Sequence, residues 1–179
     1  MENKIVLLVV ENRDTVLMEY FKYVLQLQSK LYGIIFWEGK RKPIWFMRRE
    51  LIKRALSKDC THVLFLDTDV IPQSNFLERL LFIDADMVSG VYYHGDGTPV
   101  SRKDGKPYNG TKLEKVDTCS MGASLIKREV LEKVEYPEPD NVTIDADIEF
   151  CRQIREAGFS ILQDFENKCY HLQLIPVIK

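Results

Sequence analysis

Val63 to Leu66 is an unbroken apolar run that stops at Asp67-Thr68-Asp69. A run without polar alternation reads as a strand buried on both faces, the kind found inside a parallel α/β sheet rather than in a sheet with one wet side. Two carboxylates at the carboxyl end of such a strand are costly unless something pairs with them. That edge is also where ligands bind in open α/β sheets. A divalent cation carrying a phosphorylated ligand neutralises both charges, and oxygen ligands of this kind suit Mg2+ or Mn2+.

The rest of the chain supplies the elements that such a strand needs. Ile5 to Val10 reads as a first buried strand that ends in the polar residues Glu11 to Asp14, with Asp14 as the N-cap of a helix. That helix is expected to turn Leu17, Tyr20, Phe21, Val24 and Leu25 inward. Gly33 to Trp37 gives a second strand, followed by Glu38, and Pro43 suits the first turn of a helix whose inner stripe holds Leu51, Ile52, Ala55 and Leu56. Arg48 shares that stripe, so its guanidinium either reaches water at the helix edge or aims at the phosphate and aspartate region. After the central strand come a helix near Ser74 to Phe82 and a strand from Met87 to Tyr93. This alternation predicts a mostly parallel sheet with helices on both faces.

Residues 94–118 break the rhythm, with Gly95, Gly97, Pro99, Gly105, Pro107 and Gly110 and an Asp104-Gly105 hairpin turn. They read as a mobile excursion over the sheet edge, a lid or an acceptor loop. Ser120 to Ile126 resumes a strand and Lys127 to Val134 a short helix. Asp145 then reads as an N-cap and Gly158 as the end of the next helix, on which Asp147 shares a stripe with Phe150, Cys151 and Ile154. Asp147 is thus expected to face inward and Asp145 to be structural. A last strand near Phe159 to Gln163 precedes His171, which sits among apolar neighbours.

Composition narrows the function classes. The 179 residues fit one domain, large enough to bury about 70% of the surface its unfolded form exposes. The formal net charge is −2 with no long block of one sign, so charge gives no support to a nucleic-acid or membrane-surface role. No signal peptide is expected, and no transmembrane segment, because no stretch nears the ~20 apolar residues of a span. Cys60, Cys119, Cys151 and Cys169 lie far apart without Cys-x-x-Cys, so free thiols in a cytoplasmic protein are the default.

Asp-x-Asp is by itself a weak signal, since turns and caps explain most instances. Its place straight after a buried strand strengthens it, because a carboxylate pair with a metal can hold a diphosphate and act on a leaving group. A haloacid-dehalogenase-type phosphatase also puts Asp-x-Asp after a buried strand, with the first aspartate as nucleophile. A catalytically silent module that binds a nucleotide sugar through the same fold is a reading from a different class. Asp147 can serve as a general base where an acceptor hydroxyl lies near, or can simply favour the first turn of its helix.

Taken in order, several segments resemble the GT-A glycosyltransferases, above all their inverting, family-2-like branch. Met47-Arg48-Arg49-Glu50-Leu51 with Ala55 resembles the helix before that family's metal motif, and Val63 to Pro72 the strand, motif and following proline. Asp84 to Gly90 is similar to the segment leading into the next strand, and Ser120 to Arg128 to the acceptor-side strand around Gly122. Asp147-Ile148-Glu149-Phe150-Cys151 with Ala157-Gly158-Phe159 resembles the segment of the catalytic carboxylate, and Tyr170-His171-Leu172 that of a late metal-binding histidine.

The resemblance implies a Rossmann-like, three-layer α/β/α GT-A domain over residues 1–179. It further implies metal-dependent transfer of a sugar from a nucleotide-diphosphate donor, a UDP- or GDP-sugar, to a hydroxyl of a glycan, protein or small-molecule acceptor. Carried over residue by residue, Asp67 meets the ribose or the metal, Asp69 is a direct ligand and His171 a second one. Glu11, Glu38 and Arg48 fall on the donor side, Gly122 on the acceptor side, and Asp147 deprotonates the acceptor. Family members often carry Glu-Asp where Ala146-Asp147 stands here, which keeps Asp145 as the other candidate base.

Overall fold

The computed structural model describes residues 3–9, 18–37, 42–139 and 145–172. In chain order its elements are β1 (Ile5–Val9), α1 (Met18–Leu27), β2 (Gly33–Phe36), α2 (Ile44–Leu56), β3 (His62–Leu66), β4 (Val70–Pro72), α3 (Phe76–Phe82), β5 (Met87–Val91), β6 (Arg102–Lys103), β7 (Lys106–Pro107), β8 (Leu113–Lys115), β9 (Ala123–Lys127), α4 (Arg128–Lys133), α5 (Ala146–Glu156) and β10 (Ile161–His171). The central sheet is eight-stranded, in the order β2-β1-β3-β9-β5-β10-β4 with β8 also on β10. β2, β1, β3, β5 and β10 run the same way, while β9 is inserted antiparallel between β3 and β5, and β4 and β8 lie antiparallel on β10. The sheet is therefore mostly parallel, as the strand and helix alternation predicts.

The apolar runs are buried on both faces because each strand feeds two cores. Val63 and Phe65 of β3 pack with Met47, Leu51 and Ile52 of α2 and with Phe150, Cys151 and Ile154 of α5. Leu64 and Leu66 point to the other face, against Tyr20, Val24 and Leu27 of α1 and Phe76, Leu77 and Leu80 of α3. Period-two alternation along one strand thus serves two helical layers at once.

Helix α1 buries Tyr20 and Val24 as expected but is rotated from the expected face at its other positions. Its buried face is Tyr20, Tyr23, Val24 and Leu27, whereas Phe21 and Leu25 are about half exposed at 53% and 52%. Both sets have helical spacing, so periodicity alone leaves the choice open. Burial of Tyr20 is made tolerable by its hydroxyl, which donates to the Leu66 carbonyl at 3.0 Å at the end of β3. Leu17, Asp14, Glu11 and Glu38 lie outside the described residues.

The excursion between β5 and β9 carries its own hairpin and is tied to the main sheet by β8, which pairs antiparallel with β10. Asp104 and Gly105 both take positive φ (52° and 73°) in the turn between β6 and β7, as a two-residue hairpin requires. Arg102 and Thr118 pair across its base, the Ser101 hydroxyl donates to the Tyr108 carbonyl, and the Tyr93 hydroxyl to Asn109 Oδ1 at 2.9 Å. β9 begins at Ala123, later than expected, because Met121 and Gly122 form a turn. The expected last strand is β10, which continues past Gln163 as far as His171 and whose register against β5 shifts between Asp164 and Lys168. All four cysteines are buried and free.

The orientation of α1 makes a direct stability prediction. Leu27→Ala removes a side chain that is 1% exposed and should lower the unfolding free energy by about 2–5 kcal/mol, while Leu25→Ala should change it by less than about 0.5 kcal/mol. Urea denaturation of the two variants reads the difference; equal losses, or the reverse order, would mean that α1 is turned the other way.

Candidate active site

Asp67 follows β3 directly, and its position is set by the neighbouring antiparallel strand. Leu66 pairs with Ala123, so Asp67 comes to lie opposite Gly122 and its backbone N–H donates to the Gly122 carbonyl at 3.0 Å. A tight turn follows, closed by the Val70 N–H on the Asp67 carbonyl at 3.0 Å, and it carries Asp69 to the start of β4. Gly122 is required at this point: a Cβ there would lie 2.5 Å from Asp67 Oδ2 and 2.8 Å from the Tyr92 hydroxyl. Expected on the acceptor side, Gly122 forms the wall behind Asp67.

β4 is short, but it brings together residues about a hundred positions apart. It pairs antiparallel with the end of β10 in the register Val70 to His171, and the Leu172 N–H donates to the Asp69 carbonyl at 2.8 Å. His171 Nε2 consequently lies 3.7 Å from Asp69 Oδ2, an ion-pair distance. The other ring nitrogen, Nδ1, lies 3.2 Å from the Tyr93 carbonyl, which can only accept, so Nδ1 carries the proton of the neutral ring. The Nε2 lone pair then faces a carboxylate, an arrangement that needs a proton or a metal cation between the two. The Asp69 carboxylate accordingly holds the His171 imidazole above its usual pKa.

Arg48 ties this edge to α5. It is 2% exposed, and its Nη2 donates to Asp67 Oδ1 at 3.2 Å and Oδ2 at 3.0 Å. Its Nη1 donates to the Tyr136 hydroxyl at 3.0 Å and to Asp147 Oδ1. Burial works against the guanidinium charge, but the Asp147 and Asp67 carboxylates more than offset it and hold the pKa well above the usual value. Burial pushes the Asp67 carboxyl up, against the pull of Arg48 and with the Asp147 and Asp69 charges adding to the rise. Of the two outcomes that the sequence left open for Arg48, the structure has the one in which it meets the aspartates.

The pair Asp145 and Asp147 separates cleanly. Asp145 is the exposed N-cap of α5, and its side chain accepts from the Asp147 N–H at 3.0 Å. Asp147, in the first helical turn, points to Arg48 and Tyr136 with its side chain 27% exposed. Phe150, Cys151 and Ile154 below it are fully buried, as its stripe predicts. Sequence reading missed Tyr92 and Tyr136. Tyr92 directly follows β5 at the same sheet edge, so its position held a usable signal; no spacing or motif marks Tyr136. Burial keeps both hydroxyls protonated, pushing their pKa values well up.

Asp69 and His171 pair an oxygen and a nitrogen donor that could share in holding a divalent cation, with the histidine's second nitrogen oriented by a backbone carbonyl. Among the described residues no group of three His, Cys, Asp or Glu side chains is arranged to hold a metal, and Asp67 is turned to Arg48. Ligand or water oxygens would complete the coordination.

The sheet order, the aspartates at its carboxyl edge and the helical layers define the GT-A fold of glycosyltransferases. The chain is similar to the crystal structure of A197 from STIV (TM-score 0.72, 20% identity, covering 96% of this chain and 86% of that one). It is also similar to TarS of S. aureus (TM-score 0.63, 14% identity, 94% and 60%) and to GalNAc-T7 solved with UDP, GalNAc and Mn2+ (TM-score 0.60, 12% identity, 97% and 44%). All three are GT-A glycosyltransferases, and the chain spans 60% of the length of TarS and 44% of that of GalNAc-T7. No protein-family model matches the sequence, and no curated protein matches it.

The Arg48 bridge predicts an asymmetric cost. Arg48→Met leaves two carboxylates at a buried edge without their cation and should destabilise the fold by about 3–5 kcal/mol. Adding Asp67→Leu should recover part of that loss, since replacing both partners of a buried pair is far less costly than removing one. Chemical denaturation at neutral pH measures both; a mild effect of Arg48→Met alone would mean that the bridge does not organise the edge.

Proposed function

We propose that this chain is a metal-dependent, inverting glycosyltransferase that moves a sugar from a nucleotide-diphosphate donor, a UDP- or GDP-sugar, to an acceptor hydroxyl. The observation that carries the reading is the convergence of Asp67, Asp69, His171 and Asp147 at one sheet edge from three separate segments. Asp69 and His171 would hold Mn2+ or Mg2+, which when bound neutralises the diphosphate and stabilises it as a leaving group. Asp67, gripped by Arg48, would meet the ribose or the edge of the metal shell. Glu11 and Glu38 are proposed to meet the nucleotide.

Asp147 is the proposed general base, and Asp145 serves it as the cap that fixes the start of α5. A base needs access to the incoming hydroxyl, and the Asp147 carboxylate is partly open where Asp67 is closed in. A single base on the acceptor side supports in-line displacement and hence inversion. The acceptor is a glycan, protein or small molecule that offers a hydroxyl. The phosphatase reading loses ground because its nucleophile would be Asp67, both of whose oxygens accept from Arg48 Nη2. The UDP, GalNAc and Mn2+ with which GalNAc-T7 was solved support a UDP-sugar and Mn2+ as the first compounds to try.

Calorimetric titration of UDP, GDP and their sugars, with and without Mn2+, tests the donor site. Binding should need the metal, and Asp69→Ala should weaken it by at least about tenfold. Asp147→Asn should lower turnover by about 100-fold or more while leaving donor affinity within about twofold. Equal loss of binding and turnover in Asp147→Asn would move the base elsewhere, and metal-independent binding would remove Asp69 and His171 from the donor site.

A further inference from the structure

Tyr136 reaches the site from the loop after α4, and its contacts go beyond those of a packing residue. It is 1% exposed, its ring lies against Phe150 (centroids 4.8 Å apart) and beside the Arg48 guanidinium (5.9 Å), and its carbonyl accepts from Arg49 Nε at 2.9 Å. Its hydroxyl has a fixed sense: it accepts from Arg48 Nη1 at 3.0 Å and donates to Asp147 Oδ1. Arg48 Nη1 donates to that same oxygen.

A carboxylate oxygen has two lone-pair positions. On Asp147 Oδ1 both are engaged, one by an arginine and one by a tyrosine, whereas Oδ2 has no hydrogen-bond partner among the described residues. Resting on the reading of Asp147 as the base, we infer that Tyr136 is a positioning residue that, with Arg48, occupies Oδ1 and presents Oδ2 as the oxygen that takes the acceptor's proton. In that step the acceptor oxygen bonds to the anomeric carbon, its proton passes to Oδ2, and the bond from that carbon to the diphosphate oxygen breaks with its electron pair leaving on the diphosphate. The clamp also stops the carboxylate from rotating, so the reacting oxygen stays at one place relative to the donor.

The test compares three variants in steady-state release of UDP or GDP from UDP-glucose, UDP-galactose, UDP-N-acetylgalactosamine and GDP-mannose, with water or added saccharides as acceptor. Tyr136→Phe deletes only the hydroxyl and should lower kcat roughly tenfold with the donor KM unchanged, the scale of one hydrogen bond to a charged group. Phe150→Leu loosens the same ring but keeps the hydroxyl, so it should lower the melting temperature and leave kcat near that of the unaltered protein. Tyr136→His restores a ring N–H donor and should recover part of kcat. Unchanged kcat in Tyr136→Phe, or turnover that follows melting temperature across the variants, overturns the inference; the histidine and Phe150 variants decide this even where Tyr136→Phe does not fold. Asp147→Asn separates the two levels: if it keeps turnover, the base assignment falls whatever Tyr136 does. Release from none of these donors by the unaltered protein overturns the transferase reading and the inference with it.

Discussion

The guanidinium of Arg48 is the interaction on which the rest of the site depends. It is almost fully buried, permanently charged, and divided between Asp67 after β3 and Asp147 on α5. A buried arginine is tolerable only where its donors are matched by carboxylates, and buried carboxylates are tolerable only beside such a cation. Each side of the bridge thus justifies the other. In the proposed reaction one end of this group touches the donor half and the other the acceptor half, so the two halves cannot shift independently.

Around that bridge the backbone supplies positions that no single segment could provide. The antiparallel insertion of β9 sets Gly122 behind Asp67, where any side chain would push the carboxylate aside. The short β4, pairing with the far end of β10, brings His171 to Asp69. Both are consequences of strand register, and register is enforced by the two cores, because a slip of one residue would turn every buried strand side chain to the wrong face.

The features legible in the sequence were those carried by local pattern. The buried run before Asp67, the cap at Asp145, the inward stripe through Asp147 and the Asp104-Gly105 turn each follow from spacing within a few residues. On α1 the inward positions of Tyr20 and Val24 were legible, but the choice of Tyr23 and Leu27 over Phe21 and Leu25 was not, because both pairs have helical spacing with them. The glycines and prolines of the excursion do not reveal that its β8 joins the main sheet by pairing with β10. Tyr136 was invisible for the same reason: its role is defined by partners 88 and 11 positions away. The GT-A resemblance succeeded on fold because it rests on the order of segments, which survives where identity to the similar structures is only 12–20%.

The most direct test of the account is a crystal structure grown with MnCl2 and UDP, with anomalous data collected at the manganese edge. One manganese should be bound by Asp69 and His171 Nε2, with UDP at the carboxyl edge beside Asp67 and Asp147 Oδ2 facing the open side of the site. Manganese and UDP bound away from Asp69 and His171, or an Arg48 drawn off Asp67 and Asp147 onto the diphosphate, would contradict it.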